Sequence, residues 1–288
     1  MQLFAYSQTN SLTSAHKAIK GQDYRCMECG EVLRARSGAL LRAHFYHLTH
    51  NRLCRQSNKS ATHIEVQHYF LQQLGKESCS LEKRFPSIQR IADVVWEKKK
   101  IVFEIQCSSI TAEEVQQRIA DYHSLGYCTI WILHTKRFNK ERITAAERFL
   151  KHASLFYYTN ITPHNQGSVY DQYDLVHKGK RYNRSVSFPI TLSSPKSCLQ
   201  EEKQLSLLPI FLQRRAESND LFFEGDLIDS LFKIEETKSP LPSTLEAIFD
   251  IERNGSTRDQ KGVLRRGARR VKRLYLLTLQ ILLERLCR

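Results

Sequence analysis

RIADVVWEKKKIVFEIQ, residues 90–106, decides how this chain is read. It separates into two β-branched, apolar runs, IADVVW (91–96) and IVFEI (101–105), around the polar break EKKK, which is the pattern of a hairpin. Two carboxylates, Asp93 and Glu104, stand inside these runs where Val or Ile is the ordinary residue. A buried acid costs roughly several kcal/mol unless a cation or hydrogen bonds compensate it. Strand alternation sends Glu104 and Gln106 to one side and Ile105 to the other. If the two runs pair, Asp93 approaches Glu104, and two such acids suit a hard cation, Mg²⁺ or Mn²⁺. The plain alternative is a strand-edge acid neutralised by a lysine of residues 98–100.

Working outward, Ser60 precedes a helix over residues 61–74 that Gly75 ends. At 100° per residue, Ile64, Val66, Phe70, Leu71 and Leu74 share one broad face. His63 and Gln67 fall inside that face, and Glu65 points away from it, toward solvent. Residues 81–85 read as the strand before the hairpin. Downstream, Thr111 caps a helix running to Leu125, with Val115, Ile119 and Tyr122 as its buried stripe. Arg118 lies at the stripe's edge, able to reach a phosphate or to pair with Glu114 one turn back. Residues 128–133 are a buried strand, 141–152 a helix and 154–158 a last strand. The order is α/β: helix, three strands, helix, strand.

At the front, Cys26 and Cys29 form a Cys-x-x-Cys pair followed by Gly30, half of a tetrahedral Zn²⁺ site. The other half is expected in the HFYH segment, with His50 and Cys54 in reserve. Such a site is structural, since nothing here leaves an open fourth position beside a base.

Asp93, ten intervening residues and then Glu104-Ile105-Gln106 resemble the D…(D/E)-x-K signature of restriction-endonuclease-like nucleases, with Gln in the Lys place. Cys107-Ser108-Ser109, Arg118, Tyr122 and the strand TIWIL (129–133) extend the likeness. The series is similar to the competence protein CoiA family, over about residues 1–155. The resemblance implies a restriction-endonuclease-like αβββαβ core and Mg²⁺-dependent phosphodiester hydrolysis on incoming DNA during transformation and recombination. It makes Asp93 and Glu104 the Mg²⁺ ligands and sets Gln106, Arg118 and Tyr122 beside them. It also brings in His63 and Gln67, which take two places of the family's S-x-x-H-x-x-x-K pattern from Ser60. By the family's H-F-x-H string, His44 and His47 complete the zinc set with Cys26 and Cys29. Gln106 is neutral, so Arg90, the turn lysines or Arg118 must supply the charge that a lysine would bring.

A net charge of +14 and a pI near 9.5 point to a polyanionic partner, single- or double-stranded DNA first. The eight cysteines are scattered apart from one pair, and no basic, apolar leader opens the chain, which together suggest a reducing cytoplasm. Residues 258–273 carry eight Lys/Arg against one Asp, and the leucine-rich stretch after them is too short to span a bilayer. That tail suits nucleic acid or an anionic membrane surface. Three segments are expected: a zinc-bearing module over 1–58, the nuclease-like domain over 59–188, and a linker with a helical, basic extension over 189–288. The reading from a different class is a catalytically inactive DNA-binding scaffold of the same fold that recruits recombination proteins. Cleavage by the purified protein separates the two.

Overall fold

The computed structural model describes residues 1–197 and 221–237, apart from 39–41, 50, 52, 76 and 183. The chain divides into two units, Met1–Ser239 and Pro240–Arg288, and all described residues belong to the first. The basic segment 258–273 and its leucine-rich continuation lie outside the described residues.

Five short strands form the N-terminal sheet: β1 (Phe4–Tyr6), β2 (Leu12–Ser14), β3 (Asp23–Arg25), β4 (Val32–Arg36) and β5 (His44–His47). They are ordered β2-β1-β3-β4-β5. Leu33, Phe45, Tyr24 and Ala5 make its small core together with Cys26 and Cys54. So small a core buries little apolar surface, which favours a cross-link or a metal as a second source of stability.

Next comes α1 (Ala61–Leu74), capped by the Ser60 hydroxyl on the His63 N–H and closed where Gly75, at φ 81°, returns its N–H to Leu71. Strands β6 (Ser80–Phe85), β7 (Arg90–Trp96) and β8 (Ile101–Gln106) then form an antiparallel meander. Helix α2 (Ala112–His123) leads to β9 (Cys128–His134), parallel to β8, and α3 (Ala145–Ala153) leads to β10 (Leu155–Thr159), parallel to β9. The antiparallel β11 (Val169–Asp171) and β14 (Phe188–Pro189) extend this sheet to seven strands, ordered β14-β11-β10-β9-β8-β7-β6. Between them lies the hairpin β12 (Leu175–His177) and β13 (Lys180–Tyr182), turning at Lys178 and Gly179, both at positive φ.

One face of the large sheet packs Val94, Phe103, Ile105, Ile130 and Ile132 against Val66, Phe70 and Leu74 of α1. The other face packs Trp131, Leu133 and Phe156 against α2 and α3, through Val115, Ala146 and Leu150.

Three expectations are corrected. The helix placed over 141–152 begins at Ala145, where Thr144 and Glu147 form a reciprocal capping box. Residues 142 and 143 are held instead by the β12–β13 hairpin, through an Arg142–Lys180 bridge and an Ile143 N–H to the Gly179 carbonyl. Glu65, expected in solvent, is buried, with both its oxygens on Arg42 Nε at 2.9 and 2.8 Å. The wheel of an isolated helix cannot register a neighbouring segment that covers its polar face.

The stretch after residue 189 begins as sheet rather than as a helical linker. Strand β15 (Thr191–Ser197) pairs with β16 (Leu221–Glu224), and α4 (Leu227–Thr237) follows. Phe223 lies in the main core, its ring 6.3 Å from Phe103 and 5.9 Å from Tyr157. Phe223→Ala is therefore expected to lower unfolding free energy by about 3–5 kcal/mol, read by denaturant titration. A change under about 1 kcal/mol would mean that this strand is peripheral.

Candidate functional site

The hairpin register brings the acids together. Val94 pairs with Phe103, so the next positions outward set Asp93 opposite Glu104. On the other side of β7, Leu81 pairs with Val94 and Lys83 with Ala92, which sets Glu82 opposite Asp93. Three buried carboxylates thus stand at neighbouring positions of three strands, at a place where both ladders are interrupted and Glu82 adopts φ 48°.

Each has partners. Asp93 Oδ1 accepts from Lys59 Nζ at 2.8 Å and lies 3.0 Å from His63 Nε2, while Oδ2 accepts the Ile105 N–H at 2.9 Å. Gln67 Nε2 donates to the Asp93 carbonyl at 3.1 Å. The two polar residues on the apolar face of α1 therefore dock on the acid of β7. Glu104 Oε2 accepts from Arg118 at 2.6 Å, and its Oε1 accepts from the Tyr122 hydroxyl at 2.6 Å. Arg118 also holds Glu114, as the spacing of one turn suggests, at 2.9 Å. Glu82 Oε1 accepts from Lys59 at 3.0 Å, and its Oε2 accepts the N–H groups of Leu3 and Phe4.

The electrostatics of the two central acids differ. Burial pushes the Asp93 carboxyl up, but His63 and Lys59 outweigh it and hold Asp93 well below the usual carboxylate range. Burial raises Glu104, Arg118 offsets part of this, and the charge of Asp93 adds to the rise. Burial and the neighbouring Glu104 charge push the Tyr122 phenol far up, so it stays a donor.

A cavity of about 930 Å³ opens here, lined among others by Lys59, His63, Arg90, Asp93, Gln106, Arg118 and Tyr122. Gln106 Nε2 donates to the Ser108 carbonyl at 2.8 Å, which leaves its Oε1 as an acceptor at the wall. Of the cations read from sequence, Arg90 and Arg118 line the cavity. Arg90 is held by Glu114 at 2.8 Å and by Asp121 at 2.7 Å. Lys98–Lys100 sit at the closed end of the hairpin, where Trp96 pairs with Ile101, and Lys100 lies over the Tyr127 ring. The acid of β8 therefore pairs with Arg118, not with a turn lysine.

Lys59 and Glu82 were not singled out from sequence. Lys59 precedes the helix cap and reads as a surface residue. Glu82 sits in a strand of alternating polarity, SLEKRF, where an acid is ordinary. The one available signal was position: Glu82 and Asp93 lie equally far from the turn between β6 and β7.

A second cluster lies in the N-terminal sheet. One donor atom from each of Cys26, Cys29, His47 and Cys54 lies within 4.8 Å of the others. The Cys26 and Cys54 sulfurs are 3.7 Å apart, and Cys29 Sγ is 3.3 Å from His47 Nε2. In a tetrahedral Zn²⁺ site with metal–sulfur bonds of about 2.3 Å, the sulfur–sulfur edges are about 3.8 Å, so these donors suit that ion. Gly30, at φ 74°, lets the turn close with its N–H on the Cys26 carbonyl at 3.1 Å. The hydrogen bond from Cys54 holds the Cys26 thiol down, and the same bond pushes the Cys54 thiol up.

His44 stands outside this cluster. It is three residues from His47 on β5, so strand alternation puts the two rings on opposite faces. Its Nδ1 lies 2.8 Å from the Arg42 carbonyl. Cys54, held in reserve in the sequence reading, takes the fourth place.

The family described as "Competence protein CoiA, nuclease-like domain" matches residues 50–205. That is more than half of the 288 residues, and the chain belongs to this family. The match covers the three carboxylates and Cys54, starts after Cys26, Cys29 and His47, and ends beyond residue 155. Neither the curated proteins nor the solved structures provide a match. No helix among the described residues is long and apolar enough to cross a membrane.

Proposed function

We propose that this protein is a Mg²⁺- or Mn²⁺-dependent nuclease that acts on incoming DNA in transformation and recombination, with a restriction-endonuclease-like αβββαβ core running from α1 to β9. The observation that carries the reading is the group of three buried carboxylates beside the cavity, which Asp93 lines; among the described residues the Lys/Arg side chains paired with them are Lys59 and Arg118. Such an acid excess beside a polar cavity is suited to a divalent ion, and its hard oxygen donors match Mg²⁺ chemistry. Asp93 and Glu104 would hold that ion, which when bound polarises a phosphodiester and acidifies a water.

The chain's own residues do the rest. Lys59 and His63 keep Asp93 ionised, and Arg118 and Tyr122 fix the orientation of Glu104. Gln106 offers Oε1 to orient the attacking water. Lys59, packed between Glu82 and Asp93, supplies the positive charge that neutral Gln106 lacks. Cys26, Cys29, His47 and Cys54 would hold a structural Zn²⁺. Cys54 is five residues before Lys59, and the N-terminal amine donates to the Lys59 carbonyl at 3.1 Å, so that module fixes the lysine's backbone.

Labelled single-stranded, duplex and branched DNA, with and without Mg²⁺ or Mn²⁺, test the reading. Metal-dependent cutting of at least one substrate is expected. Binding without cutting under any metal leaves the DNA-binding scaffold. The lysine has its own test: Lys59→Met should cut at least 100-fold more slowly, and adding Gln106→Lys should restore part of the rate. Undiminished cutting by a folded Lys59→Met protein would remove Lys59 from this role.

A further inference from the structure

Two basic segments far apart in sequence meet, and the first of them starts one strand from the cavity wall. The first is the loop KRFNKER (136–142), which leaves the end of β9. The second is the β12–β13 hairpin. They are stitched together by the Arg142–Lys180 bridge, by the Ile143 N–H on the Gly179 carbonyl, and by the Arg181 N–H on the Glu141 carbonyl at 2.7 Å. The buried Arg181 anchors the joint from below, donating to the Lys140 carbonyl at 2.6 Å and pairing with Glu147 and Asp174. An interior ion-pair network of this kind costs desolvation, and its effect here is to fix the hairpin on the loop.

The surface so formed has nearly one sign. Lys136, Arg137, Lys140, Arg142, Lys178 and Lys180 are all exposed, and Glu141, paired with Lys180 at 3.2 Å, is the exposed acid among them. The other five form no ion pair among the described residues. Its place is also set by register. Gln106 of β8 is level with Leu133 of β9, so the loop starts at the sheet edge that carries Gln106 and the cavity-lining residues 107–111, one strand spacing away. That spacing is about 4.8 Å, within the reach of a single nucleotide. Burial pushes the Cys107 thiol in the cavity wall up, and Lys136 is near enough for its charge to offset part of that rise.

We infer that this loop-and-hairpin surface is a phosphate-backbone track for a nucleic-acid strand, which leads the strand across the edge of the sheet to the cavity. The placing of the strand rests on the proposed nuclease reading, and the binding does not. Six exposed cations on a rigid joint, with one acid among them, match a chain of regularly spaced phosphates. The exposed Tyr182 at the hairpin's end adds a ring on which an unpaired base can stack.

The test uses the full chain carrying Arg142→Ala, Lys178→Ala and Lys180→Ala, three exposed positions that leave the buried Arg181 network intact. Affinity for a 20-nucleotide single strand should fall about tenfold at 0.15 M salt, and the slope of log K against log salt should flatten by about two. Cleavage of bis(4-nitrophenyl) phosphate, too small to reach the surface, should be unchanged. Unchanged affinity and slope for both single strands and duplex would overturn the track, whether or not the wild type cuts. Loss of binding to phosphatidylserine vesicles, with oligonucleotide binding intact, would overturn it in favour of a membrane surface. A wild type that cuts nothing but shows the flattened slope would keep the track and remove only the nuclease reading.

Discussion

Asp93→Asn and Glu104→Gln are each expected to lower metal-dependent cleavage by about a thousandfold, while DNA binding stays within about twofold of wild type. On the proposed nuclease reading, binding would rest on many phosphate contacts, whereas the chemical step would rest on one cation site worth roughly several kcal/mol. The effects on stability should differ in sign with pH. Asp93 is held below its unfolded value, so its contribution is present above about pH 4 and is lost as pH falls toward its folded value. Asp93→Asn should therefore cost about 3 kcal/mol at neutral pH, because Lys59 keeps only Glu82, and should flatten the acid limb of the stability curve. Glu104 is held above its unfolded value, so what it contributes is present below about pH 4 and is lost as pH rises through its folded value. Glu104→Gln should remove that loss, with a net change of about 1 kcal/mol or less at neutral pH. Cleavage assays and denaturant titrations from pH 3 to 8 read both. Equal stability profiles for the two variants would contradict the division of roles between the acids. Undiminished cleavage by either would remove it as a metal ligand.

Cys54→Ser should reduce bound zinc from about one equivalent per chain to near zero, and His44→Ala should leave it at one. The contrast is sharp because Cys54 belongs to the four-donor cluster and His44 does not. Zinc binding in such sites is worth roughly 10 kcal/mol of apparent free energy, and a small five-stranded sheet cannot replace that by packing. The Cys54→Ser protein should therefore melt its N-terminal region at a lower temperature and cut more slowly, since Lys59 follows five residues later. Chelation of the wild type should give the same two losses, reversed by added Zn²⁺. Metal retained in Cys54→Ser and lost in His44→Ala would restore the HFYH pair as the ligand set.

How much of this was legible depends on whether the signal was local. The hairpin, the paired acids and the helix polar pair His63 and Gln67 could be read because strand and helix periods place side chains without reference to the rest of the chain. The Cys-x-x-Cys turn was legible for the same reason, since it is set by a few neighbouring residues. Alternation on β5 was also local, and it separates His44 from His47. What decided the fourth cluster position was Cys54, brought 3.7 Å from Cys26 by a chain path that no period encodes.

Glu65 shows the limit from the other side, since its wheel position was right and only Arg42, folded across from the N-terminal module, made it interior. Strands β15 and β16 were misread as linker because β16 finds its partner across a gap in sequence, and its Phe223 reaches a core shared with Tyr157 and Phe103, far back in the chain. The sequence by itself determined which residues carry charge, metal affinity and strand or helix period. Tertiary structure decided that Lys59, an ordinary lysine before a helix cap, is the ammonium between two buried acids. That follows from burial, because an ion pair gains its significance only when folding removes the water around it.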